Sequence, residues 1–376
     1  MKIGLVCPYD MFQFAGGVQE VVFQLQKHMR ARGHEAIIIT PRPVKHYDYS
    51  PEGILMVGKS RRLTSPFSTV IDWGLDTYAT EIQDVLEREK FDILNFHEPW
   101  QPFVSLQMLS RSDAVNIGTF HAKLPDTIVS RSLMNLVVPH TTAVLKYIHV
   151  FTAVSEAAAD YLKELTDAPI TIIPNGIDLQ RFSKIPKVKR HKQKTILFLG
   201  RLERRKGVKY LIQAFAVLKD KHPDVKLVLA GDGIDRENLE KVVAEYQIPD
   251  VSFIGYVPED KKVALIANAD LFCSPAIFGE SFGIVLLEAL AIGTPIVCGN
   301  NPGYMGVMTG RGRLSLVTPE NILDFSQRLE LMLYDEEIRR LFIAWGHEHV
   351  KQFTFEKVAD AYEQVYKKAL KEHGHR

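Results

Sequence analysis

Only three cysteines, Cys7, Cys273 and Cys298, stand among 376 residues, far apart and without Cys-x-x-Cys spacing. That scarcity excludes a disulfide framework and a zinc ribbon, and it fits a reducing cytoplasm as the compartment. A charge surplus is missing too. With 46 Lys and Arg against 45 Asp and Glu, a formal net of +1, no overall field recruits nucleic acid or anionic lipid. The opening stretch MKIGLVCPYD carries one Lys and an apolar run cut at Pro8, too short for a signal-peptide core or a membrane span. Gly-x-Gly-x-x-Gly does not follow this first strand, and no acidic residue closes the second at Ile39-Thr40-Pro41. The dinucleotide fingerprint is therefore unmet, which argues against a dehydrogenase.

The composition that remains, 46% hydrophobic, 24% charged and 10% aromatic, is that of an ordinary globular protein able to bury large cores. The length exceeds what one core usually supports. Short Val- and Ile-rich runs at 2–7, 35–40, 91–97, 114–121, 149–154 and 170–174 predict strands buried on both faces. They alternate with amphipathic patterns at 18–32, 78–88, 133–146 and 155–165, the last with Ser155 as N-cap. The same alternation restarts with strands at 195–200, 226–230, 251–254, 271–274 and 295–298 and helices at 208–221, 236–246, 260–267 and 283–291. Alternating β and α predicts parallel sheets, hence an α/β protein with two doubly wound, Rossmann-like domains facing a cleft. Residues 1–182 form the first domain and 195–354 the second. The basic, proline-containing stretch 183–194 is the expected linker, and a charged helical segment occupies 355–376.

In such sheets ligands bind at the strand-to-helix loops. The richest loop runs Gly279-Glu280-Ser281-Phe282-Gly283-Ile284 and continues into a helix that carries Glu288. Free amides at a helix start bind phosphate, and Gly283 permits close approach. Glu288, about a turn and a half further on, can reach a vicinal diol only if the ligand folds back along the helix, as a nucleoside would. The bland alternative makes Glu280 a dipole-complementing residue and Glu288 a solvated helix residue. After the first strand of the second half comes Gly200-Arg201-Leu202-Glu203-Arg204-Arg205-Lys206-Gly207. Here Arg201 and Lys206 can clamp a diphosphate, by fork geometry and point charge respectively. Arg204 and Arg205 read equally well as solvated loop cations. No Asp-x-Asp occurs, so the usual metal bridge of nucleotide-sugar chemistry has no obvious ligands. In the first half, Gly16 and Gly17 allow a tight turn and close contact with a ligand. Thr119-Phe120-His121 and His97-Glu98-Pro99 each end a strand with an imidazole, which can hydrogen-bond a reacting group or be merely structural.

The string ESFGIVLLEALAIGTPIV resembles the E-x7-E motif of retaining glycosyltransferase family 4, whose fold is the glycosyltransferase B (GT-B) type. GRLERRKG, PNGID, FAGGV and TFH are similar to its other loops, over about the whole chain. VCPYD, GGVQ, FHEP and ESFGIVL look most like the bacterial phosphatidylinositol mannosyltransferase type. The resemblance implies catalytic parts for His121, Glu280, Arg201 and Lys206. Arg201 and Lys206 would take the donor pyrophosphate, Glu288 the ribose, Glu280 the sugar hydroxyls, and His121 the transferred sugar. Donor contacts would also come from Gly16, Gly17, Val257, Lys262, Ser281, Phe282, Gly283 and Ile284, with 257–262 holding the base. The last helix would cross back to the first domain.

The implied reaction transfers a hexose to an acceptor hydroxyl with alpha linkage, without metal or other cofactor. GDP-mannose is the favoured donor, with UDP-glucose or UDP-N-acetylglucosamine behind it. The acceptor is a sugar, polyol or glycolipid, and no nucleic-acid partner is expected. The family's lipid-binding members carry a basic helix before FHEP. Residues 80–90 here, TEIQDVLEREK, are acid-rich and offer no such basic helix for an anionic bilayer, so the expectation is a cytoplasmic protein, with peripheral contact at the inner membrane face left open. An epimerase of the same fold and a non-catalytic binding module are the alternatives.

Overall fold

A computed structural model describes residues 1–12, 16–43, 52–64, 70–76, 79–100, 104–122, 140–183 and 193–374. The chain divides into two compact units, Met1–Gly176 together with Phe355–Arg376, and Ile177–Thr354.

The first unit holds β1 (Lys2–Val6), β2 (Glu35–Arg42), β3 (Ile54–Thr64), β4 (Val70–Asp76), β5 (Ile93–His97), β6 (Val115–Phe120), β7 (Val150–Ala153) and β8 (Ile170–Ile172). They form one sheet in the order β4-β3-β2-β1-β5-β6-β7-β8, parallel except for the antiparallel pair β3 and β4. Every residue of β5 and β6 is buried, as expected of strands covered on both faces. Ser155 caps the helix Glu156–Lys163, its hydroxyl accepting from the Ala158 N–H at 3.0 Å.

The final helix, Phe355–His373, belongs to this unit and completes its core. Val358, Ala359, Tyr362, Tyr366 and Ala369 pack into the cluster of Ile3, Leu5, Ile93 and Ile117. A buried polar chain runs from it into the sheet. Asn95 donates to the Tyr366 hydroxyl at 2.8 Å, Thr119 donates to Asn95 Oδ1 at 2.7 Å, and the hydroxyls of Thr119 and Thr152 lie 2.8 Å apart. At the helix start, Gly176 leaves room for the Phe355 ring; a Cβ there would lie 2.4 Å from it.

The second unit holds β9 (Lys194–Leu199), β10 (Val225–Ala230), β11 (Val251–Gly255), β12 (Leu271–Ser274), β13 (Ile296–Gly299) and β14 (Leu316–Val317), all parallel, in the order β11-β10-β9-β12-β13-β14. The helices Ile322–Tyr334 and Glu336–His349 follow.

Several elements differ from expectation. β3 was not expected, because Gly58-Lys59-Ser60-Arg61-Arg62 interrupts the apolar run that marks a strand; β4 was not expected either, although four of its seven residues are apolar. The expected helix 133–146 lies mostly outside the described residues, as does 184–192 of the expected linker. The first unit stops at Gly176 rather than 182. Ile177 already donates its N–H to Phe353 O at 2.7 Å, and the turn Leu179–Phe182 belongs to the second unit.

Tyr366→Phe tests the docking of the last helix. It leaves the buried Asn95 amide without its acceptor, and the first unit's urea transition should lose about 1–3 kcal/mol. An unchanged transition would mean that the helix docks through apolar contact alone.

Candidate active site

In the second unit two loops meet at the carboxyl ends of the paired strands β9 and β12. Their approach depends on Gly207, whose φ of 68° is left-handed and whose missing side chain matters, since a Cβ would lie 2.1 Å from Pro275 O. The Ile277 N–H donates to Arg205 O at 2.8 Å and ties one loop to the other. Side chains then converge. Glu280 Oε1 accepts from Arg205 Nη1 and from Lys206 Nζ, each at 2.7 Å. Glu203 bridges the same Arg205 to Arg201, with Oε2 2.8 Å from Arg205 Nε and Oε1 2.9 Å from Arg201 Nη1. Burial alone would push the Glu280 carboxyl up, but Lys206 and Arg205 outweigh it and hold the group below the ordinary carboxylate value.

Arg205 therefore corrects the reading of a solvated loop cation: only 19% of its side chain is exposed, whereas that of Arg201 is 49% exposed. Glu203 was missed altogether. Its contacts were not legible in the string, because the 3-10 turn Arg204–Lys206 follows Glu203 and breaks any extended alternation of Arg201, Glu203 and Arg205.

Glu280 leads into the helix Ile284–Ile292, which no side chain caps at its start. Gly283 has φ 99°, and a Cβ there would meet the Tyr304 ring at 2.7 Å. The first amides of this helix lack intrahelical acceptors and carry the positive end of its dipole. Phe282 is buried, its ring edge-on to Phe353 at 5.8 Å, so its side chain belongs to the core and only its backbone is left for a ligand. Glu288 is buried rather than solvated, and Lys262 grips both its oxygens at 2.7 and 2.6 Å. Burial raises the Glu288 carboxyl above its ordinary value; Lys262, with Arg181 beyond it, offsets this only partly, and Glu259 adds to the rise. Val257 lies half-buried between β11 and the helix Glu259–Ala267.

In the first unit, the parallel pairing of β5 with β6 brings His97 and His121 together, with His97 Nδ1 2.8 Å from His121 Nε2. Glu98 sits between them in left-handed backbone, φ 56°, with its side chain buried. Its Oε1 accepts the His121 N–H at 2.8 Å, and Trp100 Nε1 donates to Oε2. Burial pushes the Glu98 carboxyl up to about 7, while Trp100 and the His121 and Ala122 amides oppose the rise. The turn expected at Gly16 and Gly17 falls partly on residues 13–15, outside the described residues. Gly16 is extended, φ −130°, and Gly17 opens the helix Gly17–Ala31.

Among the described residues, no group of three or more His, Cys, Asp or Glu side chains could hold a metal ion, and no helix is long and apolar enough to cross a membrane.

Comparison with known proteins agrees across the whole chain. Residues 15–181 match the family described as "Glycosyltransferase Family 4" and 180–349 the one described as "Glycosyl transferases group 1". The chain is 30% identical over 370 residues to a phosphatidyl-myo-inositol mannosyltransferase of Mycobacterium leprae, covering 97% of this chain and 96% of that one. The Mycobacterium tuberculosis H37Rv protein of the same name is also 30% identical, over 379 residues and the same shares of each chain. Among solved structures, a sucrose-phosphate synthase from Thermosynechococcus elongatus superposes with TM-score 0.81 at 19% identity over 99% of each chain. Anabaena HepE in complex with UDP-glucose does so with 0.75 at 16%, over 98% of this chain and 100% of that one.

The Glu98 carboxyl makes a testable pH signature. A group raised in the folded state from about 4.5 to about 7 contributes stability that is fully present below pH 4.5 and is lost as pH rises through 7. Glu98→Gln abolishes that titration. The stability of wild type relative to the variant should therefore fall by roughly 3 kcal/mol as pH rises through this window, measured by denaturant unfolding at fixed salt. A pH-independent difference would return Glu98 to an ordinary carboxyl.

Proposed function

The chain belongs to glycosyltransferase family 4 and has the GT-B fold, and from that premise we propose that it transfers a hexose, mannose first, from a nucleotide-diphosphate sugar to an acceptor hydroxyl. The linkage formed is alpha, with retention of configuration and without a metal. The observation that carries this reading is the convergence of Arg205 and Lys206 on Glu280 beside the uncapped helix start at Gly283. Two partly buried cations, the half-exposed Arg201 and oriented amides form a preorganised anion site, which is what a departing diphosphate needs.

In this reading the diphosphate is held by Arg201, Lys206 and the amides of the Ser281–Ile284 stretch, and Arg205 joins them. The leaving phosphate oxygen takes the proton of the acceptor hydroxyl on the face it departs from, so the new bond forms on that same face. Glu280 fixes both cations and hydrogen-bonds the sugar hydroxyls. Glu288 receives the ribose in exchange for Lys262, Val257 and Lys262 lie along the base, Gly16 and Gly17 approach the phosphates, and His121 contacts the sugar. The absence of any Asp-x-Asp in the sequence favours cations over a bridging metal.

Mannose as the sugar, and so GDP-mannose as the donor, is favoured by the two mannosyltransferases, which match at 30% identity over nearly the whole chain. Their name also favours an inositol-bearing glycolipid acceptor. Against a basic lipid-docking surface stands the helix Ala79–Glu89. Its Glu81 is engaged by Arg42 and the Gly58 N–H, and its Glu89 by Lys2 at 2.9 Å and Arg88 at 2.8 Å. That neutralised face supports a soluble sugar or polyol acceptor at least as well, and a cytoplasmic enzyme.

A thermal-shift panel of GDP-, UDP- and ADP-sugars tests the donor, since a ligand of the native state raises the melting temperature. Arg201→Ala should weaken nucleotide-diphosphate binding about ten- to hundredfold, the range for a charge-assisted hydrogen bond. Lys206→Ala should cost more, because it also strips a cation from Glu280. Wild-type affinity in both would remove the clamp. Transfer should persist in excess EDTA; abolition reversed by Mg²⁺ or Mn²⁺ would overturn the metal-free step. Glu288→Gln should mainly weaken nucleotide affinity and Glu280→Gln mainly lower kcat, and equal losses of affinity would refute the division of roles.

A further inference from the structure

The buried histidine pair of the first unit has a feature that neither ring explains alone. His97 is wholly buried at the end of β5, and His121 is 5% exposed just beyond β6. Their rings lie 5.1 Å apart at 30°, joined by the contact between His97 Nδ1 and His121 Nε2. His97 Nε2 is buried with no hydrogen-bond partner. Burial drives both rings toward the neutral form, His121 down to about 3 and His97 well below its ordinary value. Each neutral ring carries one proton, so the shared contact allows two arrangements. If His121 Nε2–H donates, the proton of His97 must sit on Nε2, an N–H buried without an acceptor. If His97 Nδ1–H donates, Nε2 is a bare lone pair. Orphaned buried N–H groups are rarer than under-satisfied acceptors, so the second arrangement prevails.

We propose that His97 is a positioning residue that donates from Nδ1 to His121 Nε2 and thereby holds His121 in the tautomer protonated at Nδ1, making that N–H a fixed donor toward an oxygen of the bound sugar or its phosphate. The use made of the donor rests on the glycosyl-transfer reading; the tautomer does not. Glu98 supports the arrangement, because its carboxyl holds the His121 backbone N–H at 2.8 Å and so sets where the ring begins. A ring locked in this way needs no reorganisation when substrate arrives, whereas a free imidazole exchanges between donor and acceptor at the same nitrogen.

The test is long-range ¹H–¹⁵N NMR of ¹⁵N-histidine-labelled protein, with the His121 signals assigned by their loss in His121→Asn. The proposal expects Nδ1-protonated His121 in the wild type. His97→Asn keeps an amide donor where Nδ1 was, and should retain that tautomer and most of the rate. His97→Leu should give mixed tautomers and lower kcat by up to about tenfold, the worth of one neutral hydrogen bond, while nucleotide affinity stays unchanged. Nε2-protonated His121 in the wild type overturns the proposal, as does an unaltered tautomer in His97→Leu. Should the Leu variant not fold, the wild-type and Asn spectra still decide. Should no donor sugar be turned over, the glycosyl-transfer reading fails while the spectra judge the tautomer independently.

Discussion

Parallel strand pairing is the constraint from which the rest of this molecule follows. A parallel pair needs a crossover between its strands, so residues adjacent in a sheet come from distant parts of the chain, and all carboxyl ends point the same way. In the first unit, β5 beside β6 sets His97 and Glu98 against His121. In the second, β9 beside β12 sets the loop of Arg205 and Lys206 against that of Glu280. Neither cluster is local in sequence. Each exists because two strand ends share one sheet edge.

Within that frame, the charges set around a buried carboxyl decide its state. Glu280 is hydrogen-bonded by Lys206 and Arg205 and stays below its ordinary value; Glu288 is hydrogen-bonded by Lys262 alone, with Glu259 adding to the rise and Arg181 opposing it, and rises; Glu98 has only N–H donors and rises to about 7. Desolvation raises all three, and the charges bonded to or facing each carboxyl decide how far that rise is opposed. The cations of the second unit are in turn fixed by carboxylates, with Glu203 spanning Arg201 and Arg205. A diphosphate entering there would meet positive charge already oriented, which is the form in which electrostatics contributes most to catalysis. Glycine makes this crowding sterically feasible, at Gly207 where the loops touch and at Gly283 where the helix begins beneath Tyr304.

Much of this was legible in the sequence. The two runs of alternating β and α, the family, the GT-B fold, and the motif carrying Glu280 and Glu288 could all be read there. Buried parallel strands write themselves as Val- and Ile-rich runs, and loop chemistry sits in contiguous strings. Only tertiary structure decided which charges meet. That Arg205 rather than Arg201 reaches Glu280, that Lys262 occupies Glu288, and that His97 touches His121 depend on strand order and side-chain direction, which periodicity does not encode. The strand β3 escaped for a related reason: near a sheet edge, pairing can hold a segment whose charged residues hide the apolar signature on which sequence reading relies.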